Sequence, residues 1–327
     1  MNSTANNYST NNSTPNLNRN TGLDIARIIA MIAVVFLHSS QTSIIKMFTS
    51  FCVLLFVMVS GALWLDENNS VSSSKLIKSI IRIVVAFIFW STIYTILAPE
   101  SKGVYSFIRQ IIIGPFHFWY CYMIIGLYAI LPILKQIQKN KKIFIYFFII
   151  SFLTAILLPT LSAIAPLSGF IEIIDRSQIC IGLGYVFYFI LGYFLNQYKL
   201  PTIIKIISCL LGIISFIAMF FTNLGADFNI LRTFYVSAIF IFSIELGKLI
   251  KSPKMKSVIA FFSKQCFTVY LIHILILYLL GPFIANYTDN EFLFCSLIVL
   301  FSFACAAMLN IIWKYIVKAS NICITKQ

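Results

Sequence analysis

LDIARIIAMIAVVFLHSS, residues Leu23 to Ser40, is apolar enough to enter a membrane and yet carries Asp24, Arg27 and His38. A helix facing lipid avoids such side chains, because each would have to leave water without compensation. Their spacing resolves the conflict. Asp24 and Arg27 are three residues apart, so they share a helical face and can form a local ion pair. Arg27 and His38 are eleven residues apart, close to three whole turns. Both therefore project from one stripe, about 16 Å apart along the axis. Two ionisable groups on one ridge predict that the ridge faces protein or water.

The rest of the chain extends this reading. Of 327 residues, 60% are hydrophobic and 10% charged, and the mean hydropathy is +0.93, far outside the range of soluble globular domains. Apolar runs recur along the chain, each near the length of about 20 residues that crosses a bilayer core. They predict an all-α, polytopic integral membrane helical bundle of about ten transmembrane helices, at 23–40, 44–65, 76–98, 117–134, 143–165, 178–195, 202–221, 227–249, 266–283 and 291–315. The fourth is the shortest and the fifth contains Pro159, so these two are the ones expected to tilt or break. Residues 1–21 form a polar, low-complexity N-terminal tail with little to bury, expected to be disordered. Residues 22–327 form the membrane domain, and no secretory-signal pattern opens the chain.

Charge sets the orientation. Arg27 and Arg232 apart, every lysine and arginine except Lys46, Lys102, Arg109 and Arg176 falls in a connecting segment or span end on the side that also holds both termini, which makes that side cytoplasmic. Basic loops against an anionic inner leaflet account for the net charge of +14, and no basic run with interleaved aromatics points to nucleic acid. The eight cysteines lack paired spacing and read as small apolar side chains. Nothing in the histidine and cysteine spacing predicts a metal site.

The chain has three histidines: His38, His117 in PFHFWY beside Trp119, and His273 in VYLIHI, near the middle of the ninth span. The eighth span carries Arg232 near its outer end and Glu245 near its inner end. About 20 Å of helix separates them, so each needs a partner from another span. Arg232 lies at a depth similar to His38, which predicts an outer polar cavity containing both. Ser60-Gly61, Gly182, Gly184 and Gly192 predict close helix packing. No phosphate-binding glycine loop occurs, which disfavours ATP-driven transport.

In order, these elements resemble the acyltransferase-3 family of bacterial integral-membrane O-acyltransferases, of the single-domain type that acetylates surface polysaccharides. LDIARIIAMIAVVFLH resembles the family's first helix with its essential Arg and His, FVMVSGALWL its second-helix element, and FHFWYCYMIIGLYAILPIL its aromatic fourth helix. GYVFYFILGYFL and VYLIHILI resemble two later elements. One departure falls on the third helix, where SKLIKSIIRIVVAFIFW keeps Arg82 but has Ser79 and Ala86 at the family's other arginine and proline positions. Lys78 is the substitute charge there.

The resemblance implies transfer of an acyl group, most often acetyl from acetyl-CoA, to a hydroxyl of a surface or lipid-linked glycan, in the inner membrane of a bacterium. A polyanionic acyl-CoA is expected on the basic cytoplasmic side, where Arg27, Lys78 and Arg82 would meet its phosphates. His38 is the expected general base, with Asp24 and Arg27 as its partners in the catalytic set; an acyl-histidine relay is the other route open to it. His117, Trp119, Arg232 and His273 are the expected substrate contacts. Arg232 or a neutral histidine would stabilise the thioester oxyanion. Two other classes fit ten spans with buried charge: a glycan transporter or flippase, disfavoured by the absence of an internal repeat, and a ligand-sensing membrane domain derived from the same family.

Overall fold

The computed structural model describes residues 19–67, 72–97, 103–164, 176, 184–222 and 228–324. Among them the helices, in chain order, are α1 (Thr21–Ser39), α2 (Ser43–Thr49), α3 (Cys52–Trp64), α4 (Ser73–Leu97), α5 (Val104–Ile113), α6 (Trp119–Lys139), α7 (Lys141–Phe152), α8 (Leu158–Ser162), α9 (Gly184–Gln197), α10 (Thr202–Phe221), α11 (Ile230–Leu249), α12 (Pro253–Ala285) and α13 (Glu291–Ile324). The protein is an all-α bundle with no strand among the described residues. Nine helical segments there are long and apolar enough to cross a membrane. The predicted sixth span is seen as α9 alone; its residues 178–183, Gly182 among them, lie outside the described residues, as do residues 1–18 of the tail.

α1 is the hub. It packs against α3, α11, α12 and α13, and 56% of its apolar window is buried, against 17% for α4 and α10 at the periphery. An apolar helix that carries ionisable groups is stable there because its neighbours supply partners. Asn20 starts it, its side-chain oxygen accepting from the Gly22 and Leu23 amides at 3.0 and 3.2 Å and so satisfying two amides that the helix leaves unpaired.

Three helix contacts depend on missing side chains. A Cβ on Gly61 of α3 would run into the Phe189 backbone of α9, and one on Gly192 of α9 into the Met58 backbone of α3. A Cβ on Gly247 of α11 would strike the Gly22 backbone of α1. The first two contacts are reciprocal, so small residues on both helices bring the backbones together where no water drives association.

The irregular elements have local causes. The second predicted span is broken at Ser50-Phe51 into α2 and α3. The fifth passes through a π-helical turn at Leu153–Leu157 before α8; Pro159 sits just beyond it, and its ring and missing amide disturb the ladder toward residue 155. α12 has 33 residues, about 50 Å at 1.5 Å per residue, longer than the hydrocarbon core of about 30 Å, and residues 253–258 are exposed. The sequence reading did not foresee α5, a ten-residue helix none of whose side chains is buried. It ends at Gly114, whose φ of 70° lies in the left-handed region that favours glycine. A Cβ there would come within 2.8 Å of the Phe87 ring and 2.9 Å of Ser91 Oγ. That turn delivers the chain into a 3-10 turn at Phe116–Phe118 and aims His117 inward.

Candidate active site

The Arg27 end of the ridge is a closed polar knot. Asp24, only 4% exposed, accepts from Arg19 through both of its oxygens, the Nη2–Oδ1 bond measuring 2.8 Å. Arg27 Nη1 donates to Asp24 Oδ1 at 3.3 Å and to Ser263 Oγ at 2.9 Å. Ser263, on α12, donates in turn to Asp24 Oδ1 at 2.6 Å. The expected Asp24–Arg27 pair is therefore present, and Arg19 and Ser263 complete it. Bonding to Asp24 raises the pKa of Arg19, which lies outside the span, above its ordinary value.

At the other end all three histidines meet. The His38 ring centroid lies 5.3 Å from that of His273 and 6.5 Å from that of His117, which are themselves 5.1 Å apart. Three histidines distant in sequence are delivered by α1, the 3-10 turn and α12. Tyr270 joins them, its hydroxyl donating to the His117 carbonyl at 2.6 Å. His273 Nδ1 lies 2.8 Å from the Tyr270 carbonyl. Since a carbonyl only accepts, Nδ1 carries the proton, and in the neutral ring Nε2 keeps a free lone pair. His117 and His273 are 2% and 1% exposed. Both ring nitrogens of His117 and Nε2 of His273 are buried without a hydrogen-bond partner among the described residues. Buried polar atoms left in this state mark a place where a ligand or water is to be bound.

The two ends open into one interior cavity of about 130 Å³, lined by Arg27, His38, His117, Trp119, Tyr120 and Tyr270 among others. His38 also lines a second space, an open groove of about 690 Å³ at the C-terminal end of α1, with Ser39, Gln41, Thr42, Thr288, Asp289 and Glu291. Half-buried His38 thus forms part of the wall of both. Glu291 holds the shape of the groove: its carboxylate accepts from Ser40 Oγ at 2.8 Å, from the Thr42 amide at 2.9 Å and from the Thr42 hydroxyl, fixing the link that follows His38.

Other expected residues lie elsewhere. Arg232 is buried and does not line either of these two spaces. α11 crosses α1 at Gly247 and Gly22, at the opposite end of α11 from Arg232. Lys78 and Arg82 are exposed on α4 and line neither space. Glu245 finds its partner from another span in Lys205 of α10, at 3.0 Å. Both line a cationic basin of about 530 Å³ that also holds Arg19, Lys199, Lys248 and Lys256. The basin meets α1 at Gly22, five residues before Arg27 and, at about 100° per residue, well around the helix from the Arg27–His38 ridge.

Ser263, Ser39 and Tyr94 were not readable as site residues, since hydroxyl side chains in an apolar run carry no charge to flag them. Tyr94 of α4 accepts from the Leu275 amide at 3.0 Å and donates to the Leu271 carbonyl at 3.1 Å, gripping the turn of α12 that bears His273.

Residues 20–313 match a family model described as an acyltransferase domain. No curated protein and no solved structure matches the chain.

Proposed function

The chain belongs to the acyltransferase-3 family, and from that premise we propose that it transfers an acyl group, acetyl by the size of its cavity, from cytoplasmic acyl-CoA to a hydroxyl of an extracytoplasmic or lipid-linked glycan. The observation that carries the reading is the position of His38, which lines both the interior cavity reaching back to Arg27 and the open groove beyond it. A donor and an acceptor approaching from opposite ends of α1 would meet there.

In this reading Arg27, held by Asp24 and Ser263, orients the donor, with Lys78 and Arg82 contributing charge for the phosphates. The thioester carbonyl occupies the interior cavity, its oxygen toward the unpartnered nitrogens of His117, one of which is an N–H in either tautomer. The acceptor hydroxyl enters from the groove. Neutral His38 removes its proton as the hydroxyl oxygen bonds to the carbonyl carbon. The tetrahedral adduct then collapses, the carbon–sulfur bond breaks, and the departing thiolate recovers the proton from the imidazolium. Contact with both spaces lets His38 serve donor and acceptor without moving between them, in this direct transfer as in a relay through a histidine-bound acyl group. A small cavity suits a short acyl chain. The setting is a bacterial inner membrane, with the Arg27 end cytoplasmic.

Reconstitution tests it. Purified protein in liposomes, given acetyl-CoA and a soluble glycan, should release thiol and yield O-acetyl sugar. His38→Gln should lower both by about a hundredfold or more without lowering the unfolding temperature. Ordinary transfer by that variant removes His38 from the chemistry.

A further inference from the structure

We propose that the groove beyond His38 is the acceptor subsite and that it selects uncharged or amine-bearing sugars over acidic ones; this rests on the acyl-transfer reading above. Two independent observations make the groove a site. Ser39 lines it beside His38, and Ser39 Oγ is buried, the residue being 5% exposed, with no hydrogen-bond partner among the described residues. A buried hydroxyl left unpaired beside the imidazole is a waiting contact for a polar ligand atom.

The second observation is the groove's charge. Gln41, Thr42 and Thr288 supply neutral donors and acceptors, Asp289 and Glu291 supply two carboxylates, and among the described residues no lysine or arginine lines the space. Glu291 is engaged with residues 40–42, whereas Asp289 makes no ion pair with a described lysine or arginine within 4 Å. A sugar bearing a carboxylate, sulfate or phosphate would bring like charge against these two groups without a cation to offset it. A neutral sugar meets no such opposition, and an ammonium group meets attraction. Phe294 and Pro282 give the groove an apolar side against which the C–H face of a pyranose can lie. At about 690 Å³ the space is large enough for a sugar unit with more of a chain beyond it.

Three matched acceptors test the idea on the full-length protein with acetyl-CoA: methyl glucoside, methyl glucosaminide and methyl glucuronide, each read as kcat/KM for O-acetyl formation. The wild-type protein should prefer the neutral sugar to the acidic one by about twofold to fivefold, the scale of one partly exposed charge contact. The preference should shrink as salt rises. In Asp289→Lys it should vanish or reverse; because the ratio is read within each variant, overall activity cancels. Ser39→Ala should raise KM for all three sugars by about threefold to tenfold, the worth of one hydrogen bond, and leave KM for acetyl-CoA in place. Equal use of the neutral and acidic sugars by the wild type, or a ratio that Asp289→Lys leaves intact, overturns the selectivity. Unchanged sugar KM in Ser39→Ala overturns the subsite. If acetyl-CoA is not consumed with any sugar, the acyl-transfer reading itself fails, and the selectivity with it.

Discussion

Asp24 shows at the scale of one residue how a charge survives inside an apolar helix. Two guanidinium groups and a hydroxyl converge on its carboxylate, so removing it leaves two partly exposed cations facing each other and a serine hydroxyl without its acceptor. Asp24→Ala should therefore destabilise the protein by about 1–3 kcal/mol, the worth of hydrogen bonds to a charged group, below the cost of stranding a fully buried charge. Arg19→Ala, at a site one-third exposed (33%), should cost at most about 1 kcal/mol. Thermal unfolding of the two variants in one detergent checks the order, and an Arg19 variant that melts below the Asp24 variant would show that the knot is not built around the carboxylate. Asp24, Arg27 and His38 were legible in the sequence because an ionisable residue in an apolar run is conspicuous. The meeting of His38 with His117 and His273 was not, since it depends on how three distant segments cross. Arg232 was conspicuous too, and it lies outside the two spaces that His38 lines. Similar depth in a membrane fixes one coordinate of a residue, and the other two come from packing.

Among the elements, α12 and α4 make the clearest pair. The Tyr94 hydroxyl bridges the Leu271 carbonyl and the Leu275 amide, and the Tyr94 ring lies 5.4 Å from that of His117. One side chain thus braces two of the three histidines without entering the cavity that His38 shares with Arg27. Tyr94→Phe keeps the ring and removes the bridge, so it should lower kcat by about threefold to tenfold, the worth of one hydrogen bond, while leaving KM for both substrates near its original value. A change confined to KM would mean that Tyr94 shapes a binding surface instead. The α3–α9 crossing makes a different demand. Gly61→Ala puts a methyl group into the Phe189 backbone, which no rotamer change relieves, so stability should fall by about 1–3 kcal/mol or more and the yield of folded protein with it. Expression and unfolding temperature equal to the parent would show that the helices separate freely. The glycines announced that crossing in sequence, as Pro159 announced the disturbed fifth span. α5 gave no such notice, because ten residues interrupted by Ser106, Arg109 and Gln110 are too few and too polar to span, and the charge around them marks a loop.

Across the whole molecule, charge is divided between the two ends of α1. Among the described residues, the basin at one end holds Arg19, Lys199, Lys205, Lys248 and Lys256 against a single carboxylate, Glu245, whereas the groove at the other holds Asp289 and Glu291 and no lysine or arginine. The one-sided distribution of lysine and arginine was legible from the chain alone. That the opposite charges line hollows at opposite ends of one central helix required the fold. If lysine-rich segments stay cytoplasmic, the basin opens inward and the groove outward, and Thr288 and Lys256 lie on opposite faces of the membrane. Single cysteines at these positions make the arrangement measurable, since the described native cysteines are buried or half-buried. In sealed right-side-out vesicles an impermeant maleimide should label Thr288→Cys at once, and Lys256→Cys only after the membrane is opened. Labelling of both from the same side would place the two hollows in one compartment, and a transfer between donor and acceptor held apart by the bilayer would lose its basis.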